Sequence, residues 1–346
     1  MRWRFRADGA GRARGQRRAA RLLVACALLV AAAACGGAPH GVPEHVVIPT
    51  GSTFRAATDS LARADIVQWP VAFRLYASVT HRDRELKPGT YLLQRGISWS
   101  ETLDALTRGK GIVHTVTIPE GWDMAEIVPV LSRALAVPPE SVLAAARDTA
   151  LLARVSPASA TLEGYLFPAT YSFPDGTTAR AAVAEMVRGF ERTWKPEWDD
   201  ARAVLGMSRE DVVTLASIIE KEARLPEERP VISAVYHNRL RLGMPLQADP
   251  TIQYALGHHV ERVTFKDLDI VSPYNTYRHP GLPPGPIGSP GASSLEAAVT
   301  PADVPYLYFV AAPDGHHEFR STFAEHTEAR HELRRLSGPH KPTPAP

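Results

Sequence analysis

Glu220 is the residue of this 346-residue chain whose neighbours best suit acid–base chemistry. It follows Leu215, Ala216 and Ile219, apolar residues that recur at the spacing of one helical face. This spacing places Glu220 at the flank of the apolar face. Because apolar surroundings disfavour the charged form of a carboxyl group, we expect Glu220 to hold a proton near neutral pH. Such an acid can give its proton to a leaving oxygen.

Two helices must position this glutamate. The first begins at Ser208, where an acidic residue three positions later completes a capping pattern. The second runs from Val231 to Leu242, with a proline near its start and a glycine just past its end. Glu222 lies about 200° round the first helix from Glu220, so the pattern directs the two carboxylates to different sides. Glu222 is therefore too far round to act as the partner of Glu220.

Polar side chains in the second helix and the loops after it are candidates for holding a sugar. They are Gln247, Asp249, Tyr274, Asn275 and Asn238. Amides, hydroxyls and aromatic faces suit a carbohydrate site, because they bind sugar hydroxyls and stack on pyranose rings. Each of them is equally well explained as an ordered residue whose hydrogen bonds are made within the protein.

The N-terminal third carries a repeated pattern of a short β-rich segment, a turn that ends in Gly, and an amphipathic helix. Its first copy predicts a strand at Val46, helices over Thr53–Ala64 and Trp69–Ser78, and a returning strand over Lys87–Leu92. This βααβ order resembles the LysM module, which recognises N-acetylhexosamine glycans. The whole pattern predicts the α+β class.

The first 39 residues read as an export signal. The first 21 of them contain eight Arg and one Asp, and the run from Leu22 to Cys35 is apolar. This order keeps the Arg cluster in the cytoplasm and sends the chain after Pro39 across the membrane. We favour a retained single-pass anchor in the bacterial inner membrane over a lipoprotein anchored at Cys35.

Charge and cysteine content exclude several other classes. The net charge is +2, but the leader holds most of the excess Arg, so the exported remainder is net negative and nucleic acid is not an expected partner. Cys26 and Cys35 both lie in the leader, so we expect no disulfide in the remainder. The histidines lack metal-ligand spacing, and we expect neither a metal nor a cofactor.

Several motifs in fixed order carry a family resemblance. They are Leu215-Ala-Ser-Ile-Ile-Glu-Lys-Glu222, Val235-Tyr-His-Asn-Arg-Leu240, Leu246-Gln-Ala-Asp-Pro-Thr251, Tyr274-Asn-Thr-Tyr277 and Gly281-Leu-Pro-Pro-Gly-Pro-Ile287. Together they resemble the endolytic murein transglycosylase family of YceG-like proteins, over about Pro49 to His326. The resemblance implies one membrane segment, a LysM-like module and an α+β catalytic domain outside the cytoplasm. It also implies internal cutting of nascent peptidoglycan strands, which ends their elongation, and it maps the catalytic glutamate onto Glu220.

The predicted organisation is then a leader over 1–39, a LysM-like module over 45–112, a catalytic domain over 113–336 and a disordered tail over 337–346. The expected partners are peptidoglycan strands, the membrane and peptidoglycan synthases.

The reaction implied by the resemblance cleaves the bond between N-acetylmuramic acid and N-acetylglucosamine and leaves a 1,6-anhydro end. Glu220 would donate the proton and then accept one from the muramic C6 hydroxyl. Two alternatives stay open. A hydrolytic muramidase would use Asp249 as a second carboxylate, and a scaffold protein would bind peptidoglycan without cutting it.

Overall fold

A computed structural model describes residues 39–258 and 260–337. The Arg-rich leader, the apolar run, the Cys35 position and the tail beyond Ser337 lie outside these residues. The chain divides between His114 and Thr115 into two units, and each has its own buried core.

The first unit has the order β–α–α–β followed by one more helix. Its elements are β1 (His40–Ile48), α1 (Phe54–Arg63), α2 (Pro70–Val79), β2 (Gly89–Arg95) and α3 (Trp99–Arg108). β1 and β2 pair antiparallel, with Val46 opposite Tyr91. The rings of Phe73 and Trp99 meet edge to face at 5.8 Å in the core. The predicted βααβ order is therefore present.

The second unit is mostly helical. Its helices are α4 (Met124–Leu135), α5 (Pro139–Ala145), α6 (Thr149–Val155), α7 (Ala179–Thr193), α8 (Pro196–Val204), α9 (Arg209–Glu222), α10 (Arg229–Arg241), α11 (Asp249–Leu256), α12 (Ala292–Val299) and α13 (Phe323–Ser337). Its strands are β3 (Val113–Thr117), β4 (Thr170–Pro174), β5 (Tyr308–Ala311) and β6 (His317–Arg320). They form the pairs β3–β4 and β5–β6. Helices and short sheets together give the predicted α+β class.

Helix α9 is the centre of this unit, and it is buried on all sides. Ser208 and Asp211 form the predicted capping box, with the Ser208 backbone N–H donating to the Asp211 carboxylate at 2.8 Å. Every residue from Val212 to Ile219 is buried, because α8, α10, α11 and α12 all pack against the helix. The single apolar face expected from the sequence is wrong for this helix. Its first turn and its last turn are partly exposed.

The Pro- and Gly-rich segment before α12 is tied to the core. The backbone N–H of Ile287 donates to Ser217 Oγ of α9 at 3.0 Å. The backbone N–H of Gly121 donates to the Ser289 carbonyl at 2.7 Å, and the N–H of Ser289 returns a bond of 2.7 Å to Trp122. These bonds hold the segment rigidly beside the end of α9.

Within residues 39–258 and 260–337, no single helix combines the length and apolarity needed to cross a membrane. Helices α4 and α5 pass such a test only as a pair, with a bend of 118° between them.

Candidate active site

Glu222 is the carboxylate that opens on a groove. It is the last residue of α9, and its side chain is half-buried. The hydroxyl of Tyr236, a buried residue of α10, donates to Glu222 Oε1 at 2.9 Å. This bond fixes the direction of the carboxyl group, because Tyr236 is itself locked in the core.

The surroundings of Glu222 favour its protonated form. Burial raises the pKa of Glu222 to about 7, and the negative charge of Asp249 acts in the same direction. The hydrogen bond from Tyr236 and the positive charge of Arg239 oppose this rise. The position at the carboxyl end of a helix adds to it, since the helix dipole disfavours a negative charge there. Glu222 can therefore exist as an acid or as a base near neutral pH.

The groove has a volume of about 730 Å³, which suits a ligand larger than one sugar ring. Acidic and amide side chains line it together with aromatic ones, and they include Glu222, Gln247, Asp249, Tyr277, Tyr308 and Phe323. Phe323 is 64% exposed, so its face is free to meet a ligand. A mixture of carboxylates, an amide and aromatic faces is what carbohydrate binding requires.

The motif that follows α10 brings Gln247 and Asp249 to this groove. The backbone of Gln247 has a φ of 50°, and its N–H donates to the Thr276 carbonyl at 3.1 Å. The buried Thr276 hydroxyl also accepts from the N–H of Ala248 at 3.1 Å. The Tyr277 hydroxyl donates to Asp249 Oδ1. The Tyr274–Tyr277 motif thus acts on the site by shaping the segment that carries Gln247 and Asp249.

Glu220 lies on the other side of α9, in an ion pair. Its side chain is 6% exposed, and Arg229 Nη2 donates to Glu220 Oε1 at 3.0 Å. The backbone N–H of Gly291 donates to Glu220 Oε2 at 2.8 Å. Each Glu220 oxygen accepts one hydrogen bond from the protein and keeps a further lone pair. The assignment of Glu220 as the acid stays a prediction, and Glu222 is the carboxylate that lines the groove.

Glu120 lies beside this ion pair. A Cβ added at Gly291 would lie 2.0 Å from Glu120 Oε1, so the Glu120 side chain would have to move to admit it. Burial raises the pKa of Glu120, the nearby charge of Glu220 raises it further, and Arg229 opposes both. Arg229 also donates to Ser294 Oγ at 2.9 Å. The cluster links α9, α10 and α12, and it holds two carboxylates, Glu120 and Glu220, beside the Arg229 guanidinium.

Three other predicted sugar-binding residues are used inside the protein. The Asn238 amide donates to the carbonyls of Val304 and Tyr306, each at 2.9 Å. The side chain of Asn275 is fully buried and donates to two backbone carbonyls, so it has nothing to offer a sugar. The Tyr274 ring packs at a tilt of 52° against the Tyr254 ring, with centroids 4.8 Å apart. In the described part of the chain these three lie outside the lining of the groove.

The structure therefore brings Gln247 and Asp249 together with Glu222, and it separates Glu220, Asn238, Tyr274 and Asn275 from them. Sequence reasoning set Glu222 aside and did not single out Tyr236. A usable signal was present, because Glu222 ends the helix directly before a proline-marked break, where a side chain leaves the core. Asp249 also sits at the start of the next motif, at the first residue of α11.

Comparison with known proteins places this chain in a recognised family. The family model described as "YceG-like family" matches residues 46–332. The chain is 34% identical to the endolytic murein transglycosylase of Bacillus subtilis over 83% of each chain. It is 31% identical to the enzyme of that name from Streptococcus pneumoniae over 77% of this chain and 54% of that protein.

A crystal structure of a YceG-like protein from Listeria monocytogenes matches with a TM-score of 0.60 at 33% identity. The match covers 83% of this chain and 98% of that one. Because the family model spans most of the chain and the sequence relatives match both units, the chain belongs to the YceG-like family.

Proposed function

We propose that this protein is an endolytic peptidoglycan transglycosylase with Glu222 as its acid and base. One observation carries the proposal: Glu222 has a pKa of about 7 and lines a groove that Gln247, Asp249 and aromatic rings also line. Relatives named endolytic murein transglycosylase support the substrate class, since they match over most of the chain.

In the first half of the reaction Glu222 acts as an acid. Its proton passes to the oxygen that joins N-acetylmuramic acid to N-acetylglucosamine, and the bond from that oxygen to the muramic anomeric carbon breaks. The N-acetylglucosamine part leaves with a hydroxyl group. Tyr236 keeps the carboxyl group aimed into the groove throughout, through its bond to Oε1.

In the second half Glu222 acts as a base. It takes the proton of the muramic C6 hydroxyl, whose oxygen bonds to the anomeric carbon and closes a 1,6-anhydro ring. The proton returns to Glu222, and no water is consumed. Because the attacking hydroxyl belongs to the same sugar, it is already in place, and a second carboxylate is not required.

Hydrolysis is the second candidate function, because one observation favours it. Asp249 lies close enough for its charge to act on Glu222, so the groove contains two carboxylates. A muramidase would use the second carboxylate to activate water or to stabilise the sugar cation. The Tyr277 hydroxyl donates to Asp249 Oδ1 and leaves Oδ2 without that bond.

Mass spectrometry of the digested strands separates the two reactions. Transglycosylation gives muramic ends that are lighter by one water than the ends made by hydrolysis. Reducing muramic ends would reject transglycosylation and support the muramidase. Intact strands would support the third possibility, a scaffold that binds peptidoglycan without cutting it.

The biological setting completes the proposal. Cutting within nascent strands would end their elongation, close to peptidoglycan synthases. The leader would hold the protein at the inner membrane, by a single span or by a lipid on Cys35. The βααβ unit would bind glycan as LysM modules do. Membrane fractionation of the full chain beside a Cys35→Ser variant tests the anchor, because only a lipid anchor is lost with Cys35.

A further inference from the structure

The groove that contains Glu222 also has cationic side chains in its lining. Arg262 and Arg330 are exposed and contribute to the lining, and so does His326. Arg330 and His326 both belong to α13 and are one turn apart. Neutral sugar rings need hydroxyl partners and aromatic faces, so these cations serve some other part of a ligand.

The field around His326 is strongly positive. Burial lowers the pKa of His326, and the charges of Arg330, Arg239 and Arg320 lower it further. The His326 ring is stacked on Tyr308 at 5.4 Å. Its Nδ1 atom is buried and, among the described residues, it has no hydrogen-bond partner.

Two of the neighbouring cations are already engaged. Arg239 donates to the carbonyls of Leu307 and Leu246, at 2.7 Å and 2.8 Å. Arg320 donates to Glu318. Arg330 is the exposed guanidinium of this group, and it faces the groove, so it is placed to receive an anion from outside.

Resting on the proposed function, the substrate supplies such an anion. The sugars of the strand carry no charge of their own where each muramic lactyl group is in amide linkage. The peptide attached to each lactyl group carries free carboxylates, and a strand still bound to its lipid carrier has a pyrophosphate at its muramic end. Both are anions linked to the muramic sugar that is cut.

We propose that Arg330, with His326 beside it, binds an anion linked to the muramic sugar, so that the groove selects anion-bearing strands over bare ones. A guanidinium forms two parallel hydrogen bonds with a carboxylate or a phosphate, which gives direction as well as affinity. The peptide carboxylate is the expected source, because it occurs at every muramic residue and the enzyme cuts within strands. The selection lies in binding, apart from the proton transfers of Glu222.

Binding to four kinds of strand tests this selection. Fluorescently labelled strands are prepared with or without peptides and with or without the lipid pyrophosphate. The peptides are removed by an amidase, and the lactyl carboxylates that this exposes are converted to neutral amides. The pyrophosphate is removed by mild acid. Affinities are measured by anisotropy with the full chain carrying Glu222→Gln, so that no strand is cut. The test protein also carries Arg330→Gln, and the control carries Arg335→Gln on the same helix, outside the groove lining.

Peptide-bearing strands are expected to bind about tenfold more tightly than bare strands, the loss of one charge-assisted bond being worth about that factor. Arg330→Gln is expected to bring the ratio of the two affinities, peptide-bearing over bare, near one. Arg335→Gln should preserve that ratio. High salt should narrow the ratio in the parent protein. Tighter binding of strands that carry the pyrophosphate, lost with Arg330→Gln, would support the anion site and assign it to the lipid-linked end.

The proposal would be overturned if the parent protein bound strands with and without each anion equally well. It would also be overturned if Arg330→Gln left the preference for anion-bearing strands intact. Product analysis with the unaltered protein stands apart from this result. Absence of anhydro ends there would reject the proposed reaction, whereas the binding ratios would still decide the role of Arg330.

Discussion

Glu220 and Glu222 lie two residues apart at the end of one helix, yet their carboxylates meet opposite surroundings. Glu220 is bonded to Arg229 and to the backbone N–H of Gly291. Glu222 meets the Tyr236 hydroxyl and a groove. A separation of about 200° round the helix makes this division unavoidable. One carboxylate lies in an ion pair, and the other lines the groove.

Replacing Glu220 by Gln should lower stability. The change leaves the Arg229 guanidinium, whose side chain is 13% exposed, without its counter-charge. Breaking a buried pair of this kind costs about 3 kcal/mol in free energy of unfolding. Urea denaturation at pH 7 measures the loss, with Glu227→Gln at an exposed position as the control. Equal stability of the two variants would show that the ion pair contributes nothing.

Asp249→Asn should shift the pH dependence of catalysis. Asp249 helps to raise the pKa of Glu222, so removing its charge lowers that pKa. Because the acid must be protonated, the alkaline fall of kcat/KM should move to lower pH, while activity at acidic pH is retained. The measurement is a pH profile of strand cleavage beside Asp269→Asn, an exposed position.

A different outcome would favour hydrolysis. If Asp249 activates water, its loss should lower the rate about 100-fold or more at every pH. A uniform loss of that size, together with reducing muramic ends in the unaltered protein, would contradict the single-carboxylate mechanism.

Stability should fall as the pH rises from about 4.5 to 7. Burial raises the pKa of Glu163 from 4.5 to about 7, and burial does the same for Glu222. Between these values the folded state binds more protons than the unfolded state, so the free energy of unfolding decreases with pH. Each carboxyl contributes roughly 3 kcal/mol at most to this loss.

Glu163→Gln isolates the contribution of Glu163 to the pH dependence of stability. The amide oxygen can still accept from the N–H of Met124, as the carboxylate does at 3.1 Å, but the side chain no longer titrates. Thermal denaturation from pH 4 to pH 8 should therefore show a flatter profile for this variant than for the unaltered protein. Parallel profiles would contradict the raised pKa of Glu163.

Gly164→Ala should destabilise the second unit. Gly164 has a φ of 81°, and a Cβ there would lie 2.4 Å from the Cβ of Pro286. Left-handed backbone and overpacking together should cost about 3 kcal/mol. Gly176→Ala is the matched control, since its φ is 77° and a Cβ there meets no atom within 4 Å. Calorimetry of the two variants separates the clash from the backbone cost, and equal losses would exclude the clash.

Local signals in the sequence predicted the elements well. The capping box at Ser208 and Asp211 and the βααβ order of the first unit follow from contacts between near neighbours. The candidates Gln247 and Asp249 reach the groove, because their motif sits at a helix start where side chains leave the core.

Which of the two glutamates, Glu220 or Glu222, lines the groove could not be predicted from the sequence. The rule that assigns an apolar face to a helix fails for α9, because the helix is buried on every side from Val212 to Ile219. Arg229 and Gly291 donate hydrogen bonds to Glu220, and both lie in other segments of the chain. Only the fold determines the positions of those segments. Asn275 was misread for the same reason, since the loop that buries its amide was not visible in the motif.

The central claim is that Glu222 carries the proton, and single-turnover cleavage of peptidoglycan strands tests it most directly. Glu222→Gln and Glu220→Gln are compared at a temperature where circular dichroism shows both to be folded. The account predicts that Glu222→Gln slows cleavage by about 1,000-fold and that Glu220→Gln stays within about tenfold of the unaltered protein. Full activity in Glu222→Gln, with activity lost in Glu220→Gln, would contradict it.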